Sequence, residues 1–249
     1  MIALDEFLPQ LLADDPYGLT PAFRQWLTAS RRFRTFAESY QTKIRAKLRT
    51  AGDEEVLQDL LFELTIARWL LQEKRLQVAY EPQPVRTAPG PDFTVTFTTK
   101  TIFHVEVTRI RPPTPTEYAT ASSPALDPQK LLYVILGKLM QIKPSAANVL
   151  LIGLPPDAIT GANLDEVMKQ MKQRITGNDT AFLARSRLRT PGEFFKQLHA
   201  LSGILLYGIA PTTPSVASAP APLLWLNKEA RYPLVAQVQT CLRQLPPLQ

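Results

Sequence analysis

Pro91-Asp92-Phe93-Thr94-Val95-Thr96-Phe97 and Ile102-Phe103-His104-Val105-Glu106-Val107-Thr108 are the two runs whose reading decides the fold. Both alternate between apolar and polar. Phe93, Val95 and Phe97 share one side of the first run, and Phe103, Val105 and Val107 one side of the second. Successive strand residues point to opposite faces, so these apolar sets face a core. Asp92, Thr94 and Thr96 then share the other face, as do His104, Glu106 and Thr108. Residues 98–101 can turn the chain, which makes the two runs a hairpin. A turn centred near Thr99 sets Asp92 opposite Glu106. Two carboxylates that close repel, and one stays protonated unless a cation holds them together. A hard divalent ion is the usual cation for an all-oxygen site.

Upstream of the hairpin, residues 54–74 carry the clearest helical pattern, with Val56, Leu57, Leu60, Leu61, Leu64, Ala67 and Leu71 on one stripe. Asp53 is its predicted cap. Glu63 lies at the edge of that stripe, beside Val56, Ala67 and Leu70, and so faces the sheet rather than open water. A carboxylate buried there without a partner is costly, so a metal, another cation or a hydrogen-bond network is expected beside it. Residues 76–81 read as a strand, and a proline-rich turn leads from it to Pro91. Residues 21–49 read as one helix with Phe23, Trp26, Phe33, Phe36 and Tyr40 as candidate buried positions.

Downstream, residues 111–128 form a Pro/Thr/Ser-rich loop, long enough to lie over a binding cleft. Asp127-Pro128 opens a helix that Pro144 stops. Asn148 to Leu154 is continuously apolar, as a strand buried on both faces requires. Helices at residues 164–174 and 193–198, a strand at 201–209 and a helix near 234–245 complete the chain. Trp225-Leu226-Asn227 reads as a packing and turn element. A hairpin beside a helix-connected strand gives a mixed sheet flanked by helices, an α/β architecture. The expected division is an N-terminal helical extension (1–52), an α/β core (53–209) and a linker with a C-terminal helix packed on the core (210–249).

The 249 residues are 45% hydrophobic, enough for one sizeable core. A net charge of +6 favours a polyanionic partner. The basic residues concentrate in Arg31, Arg32 and Arg34, then Lys43, Arg45, Lys47 and Arg49. Arg45, Lys47 and Arg49 are the expected contacts to a nucleic-acid backbone, although a solvated helix face explains the run equally well. The lone Cys241 excludes an intrachain disulfide and a paired-cysteine metal site, and fits a reducing compartment. Residues 1–15 carry four acids and no basic n-region, which argues against a signal peptide and for a cytoplasmic protein. No apolar stretch is long enough for a bilayer, so no membrane partner is expected. No zinc spacing, phosphate-binding glycine loop or nucleophile elbow occurs.

The order helix, strand, strand, strand, helix, strand, with Pro91-Asp92 on the second strand and Glu106-x-Thr108 on the third, resembles the PD-(D/E)xK nuclease superfamily. The similarity spans roughly residues 54–154. It implies a restriction-endonuclease-like core and a Mg²⁺- or Mn²⁺-dependent nuclease, with DNA the expected substrate and a homodimer left open. It further implies that Asp92, Glu106 and the carbonyl of Val107 hold the metal, and that Glu63, as the core-helix glutamate, binds a second metal or orients its water. The departure is Thr108, which stands where the superfamily has a lysine. Some members bring a lysine or glutamine from the next helix, which here offers Lys138 and Gln141. Taken singly, Asp92 also reads as a turn residue and Glu106 as a solvated strand residue. The alternative is a nuclease-like domain without activity that binds nucleic acid or a protein.

Overall fold

The computed structural model describes residues 3–12, 15, 17–82, 90–111, 127–160, 162–177, 179–186, 190–209 and 221–246. Among the described residues, six strands form one mixed sheet in chain order: β1 (Leu76–Tyr80), β2 (Phe93–Phe97), β3 (Thr101–Arg109), β4 (Ala147–Leu154), β5 (Gly203–Gly208) and β6 (Leu223–Leu226). β1, β2 and β3 run antiparallel, β3 to β5 parallel, and β6 returns antiparallel to β5. Phe93 pairs with Val105 and Phe97 with Thr101, so residues 98–100 make the turn. Thr98 takes φ +57 there, the left-handed conformation that lets so short a connection close. β4 and β5 are buried on both faces and, apart from Asn148, apolar.

Helix α5 (Glu54–Leu70) lies on one face of the sheet. Asp53 caps it by accepting a hydrogen bond from Val56 N at 2.8 Å, and Glu54 and Glu55 complement its N-terminal dipole. Its buried Leu57, Leu60, Leu64 and Ala67 pack with Phe103, Val105, Val107 and Leu151. The same core takes in four N-terminal helices, α1 (Leu4–Leu12), α2 (Thr20–Ala29), α3 (Arg31–Ser39) and α4 (Gln41–Thr50). The expected single helix over 21–49 is therefore three. Ser30 ends one helix and caps the next, its Oγ accepting from Phe33 N at 3.1 Å. Tyr40 marks the second break, with φ −113 and ψ 17. These breaks fold the segment back so that Phe23, Phe33 and Phe36 reach one core. Arg32 fastens this layer to α5, its guanidinium donating to the carbonyls of Leu71 (2.7 Å), Glu73 (2.6 Å) and Leu76.

On the other face lie α6 (Pro128–Leu139), α7 (Pro156–Thr160), α8 (Leu164–Thr176), α9 (Thr180–Ser186) and α10 (Pro191–Ala200). Their apolar residues pack on Leu150, Ile152, Ile204 and Leu206. Asp127 caps α6 by accepting from Gln129 N at 2.8 Å, and Pro128 sits in its first turn. The C-terminal segment adds β6 to the sheet and helix α11 (Ala236–Gln244), whose Val238, Cys241 and Leu242 join the α5-side core. Trp225, read from sequence as part of a turn, is a strand residue that donates to Asp165 Oδ1 at 2.8 Å. Residues 112–126, most of the long loop expected over a cleft, lie outside the described residues. The fold is thus α/β, a mixed open sheet between two helical layers. Among the described residues, no helix is long and apolar enough to cross a membrane.

Candidate metal centre

The site forms where β1 ends and β2 begins. Continuing the β2–β3 register by one residue past Phe93–Val105 sets Asp92 across from Glu106. Asp92 ties three strands together at this point. Its Oδ2 accepts from Val107 N at 2.7 Å, and its carbonyl accepts from Glu81 N at 2.8 Å. Glu81 follows β1 directly and holds φ +40. A non-glycine residue in that region costs on the order of 1–3 kcal/mol and persists only where its surroundings enforce it. Lys43 supplies part of that enforcement, donating to the carbonyls of Tyr80 (3.1 Å) and Glu81 (2.8 Å).

Glu63 enters from α5, on the side of the sheet opposite α6. Its Oε2 accepts from the Tyr80 hydroxyl and from Lys47 Nζ, both at 2.7 Å. Lys47 also meets Glu81 Oε1 at 2.6 Å and lies 4.9 Å from the centre of the Tyr80 ring. One carboxylate oxygen each from Glu63, Glu81 and Asp92 lies within 4.8 Å of the other two. These are hard oxygen donors, the set that Mg²⁺ or Mn²⁺ prefers.

Glu106 stands beside this trio, on the α6 side of the sheet. Its side chain is only 12% exposed, and its Oε1 pairs with Lys138 Nζ at 2.8 Å. Lys138 in turn meets Gln141 Oε1 at 3.3 Å. Glu63 and Glu106 thus approach from opposite layers, and Asp92 at the sheet's end interacts with both charges. Beyond Glu106 a cleft opens, lined by His104, Gln141, Lys143 and Ser145 among others. His104 Nδ1 is 3.1 Å from Thr94 Oγ1, and burial followed by the nearby Lys143 lowers its pKa.

The electrostatics follow from this crowding. Burial, then the charges of Glu106 and Glu63, push the Asp92 carboxyl up to about 7, against the pull of Val107 N–H and Lys138. Burial also raises the Tyr80 phenol, helped by Glu63, so it stays a proton donor to that carboxylate. For Lys47, burial alone would lower the pKa, but Glu63 and then Glu81 more than offset it and the net direction is up.

The basic run of α4 divides into two faces. Arg45 and Arg49 remain exposed. Lys43 and Lys47, four residues apart, turn inward with Ile44 and Leu48. Lys47, expected on a nucleic-acid backbone, therefore has its ammonium committed to Glu63 and Glu81. Arg32 and Arg34 are likewise engaged, Arg34 with Glu38 at 3.1 Å. Arg109 points away from Glu106, as strand alternation requires, and binds Glu55 and Asp59. Sequence reasoning missed Tyr80, Glu81 and the inward turn of Lys47. The readable signals were a charged residue ending a strand and two lysines at helical spacing beside two buried apolar residues.

Comparison of the chain with protein-family models, with curated protein sequences and with solved structures gives no match.

Proposed function

We propose that the chain is a metal-dependent nuclease of the PD-(D/E)xK kind, hydrolysing phosphodiester bonds, with DNA the expected substrate. The observation that carries the reading is the gathering of half-buried carboxylates around Asp92 at one end of the sheet, with Lys138 beside Glu106. The order α5-β1-β2-β3-α6-β4 with this strand pairing supports a restriction-endonuclease-like core. Asp92, Glu106 and the Val107 carbonyl would hold Mg²⁺ or Mn²⁺, with Glu63 oriented from α5. When bound, such an ion polarises a phosphoryl oxygen and lowers the pKa of an attacking water. Lys138, kept in place by Glu106 and Gln141, stabilises negative charge developing on the phosphate. It supplies the cation that Thr108 lacks. Asp92 must give up its proton to bind the ion, so the site charges fully only near and above neutral pH. Arg45 and Arg49 offer phosphate contacts from the exposed face of α4.

One observation favours a second reading. Glu63 is already satisfied by Lys47 and Tyr80, and Glu106 by Lys138, so these acids have partners without an ion. A nuclease-like domain that only binds nucleic acid would look the same there. Plasmid nicking with Mg²⁺ or Mn²⁺ separates the two. The nuclease reading expects metal-dependent nicking that Asp92→Asn and Glu106→Ala abolish in folded protein. DNA binding without nicking under any divalent ion would leave the inactive domain as the account.

A further inference from the structure

We infer that Lys47 is a positioning residue of this centre, a tethered cation seated where a second metal ion would otherwise bind, so that the site takes one ion. The inference rests on the metal-dependent reading above, because it treats the carboxylates as ion ligands. Three oxygens, from Glu63, Glu81 and Asp92, are close enough together to share one cation. Lys47 Nζ already sits on two of those residues, at 2.7 Å from Glu63 Oε2 and 2.6 Å from Glu81 Oε1. An ion shared by those same two oxygens would overlap the ammonium that bridges them, whereas Lys138 contacts a single oxygen of Glu106.

Three features hold the ammonium in this position. Ile44 and Leu48 are buried on the same side of α4, which anchors the helix on either side of Lys47. The face of Tyr80 lies 4.9 Å below the charge, a cation–π contact that favours the ammonium where it sits. Glu81 is presented to it from a backbone at φ +40, tied by its N–H to the Asp92 carbonyl and by its own carbonyl to Lys43. Strain of this kind at a site marks a side chain that has to be delivered to one place. Lys47 therefore fixes Glu63 and Glu81, and the ion-binding role falls to Asp92 and Glu106. The second positive charge of the centre comes from the chain itself.

The test counts Mn²⁺ bound to the metal-stripped full-length chain, using the electron paramagnetic resonance signal of the free ion. Expected are one ion for the wild type, two for Lys47→Met and one for Lys47→Arg, which restores the charge. Two ions on the wild type would overturn the inference and leave the metal reading standing. One ion on Lys47→Met would do the same. No ion on the wild type would overturn both. Glu81→Gln provides the count if Lys47→Met does not fold. It should still bind one ion, and a loss to none would make Glu81 a metal ligand and overturn the assignment.

Discussion

Asp92→Asn should stabilise the metal-free protein, and more so as the pH rises. The amide matches the protonated acid in shape, and its Oδ1 can still accept from Val107 N, as Asp92 Oδ2 does at 2.7 Å. The acid ordinarily titrates at 3.8 and is pushed up to about 7 by burial, Glu106 and Glu63. Its folded value lies above its free value, so its contribution to stability is complete below pH 3.8 and lost as pH rises to about 7. At about 1.4 kcal/mol per decade, the full loss is on the order of 4 kcal/mol. From mildly acidic to mildly basic pH, the gap between variant and wild type should widen by roughly 2–4 kcal/mol. Urea unfolding in chelator across that range reads it directly. Parallel pH curves for the two proteins would refute the reasoning, because they would mean that Asp92 ionises without penalty. Excess Mn²⁺ should close the gap by stabilising only the wild type.

Three further outcomes are expected. Lys138→Ala should slow metal-dependent plasmid cleavage by a factor on the order of 10²–10³, the usual effect of removing a charge stabiliser, and an unchanged rate would leave the cation role to another residue. Arg45→Ala with Arg49→Ala should weaken DNA binding and flatten its salt dependence by about one in log–log slope for each phosphate no longer neutralised. An unaltered slope in filter-binding titrations would remove the exposed face of α4 from the interface. Gly153→Ala should destabilise the fold by about 1–3 kcal/mol in urea unfolding, because overpacking forces neighbours to shift. The new Cβ would press into the Phe62 and Ile209 side chains.

The hairpin was legible because its signal is local. Alternation fixes which side of each strand faces the core, and a short turn fixes the register, so Asp92 and Glu106 could be set opposite each other from sequence. The inward lean of Glu63 followed from its place on a helical wheel. What sequence could not supply was docking. Lys47 looks like one more cation in a basic run, and only the fold of α4 onto β1 turns it toward Glu63 and Glu81. That fold depends on breaks at Ser30 and Tyr40, inside a segment whose apolar spacing suits one continuous helix. β6 was missed for a similar reason. Four residues after a proline-rich stretch carry little strand signal, and pairing with β5 is what makes them a strand.

The central claim is that these carboxylates gather to hold a hard divalent ion. The most direct measurement is the anomalous X-ray signal from crystals of this protein equilibrated with Mn²⁺ at or above neutral pH. The account predicts a peak bridging the Asp92 and Glu106 side chains, near the Val107 carbonyl. Occupancy by water alone, with the lysine pairs undisturbed and manganese bound elsewhere or nowhere, would contradict it.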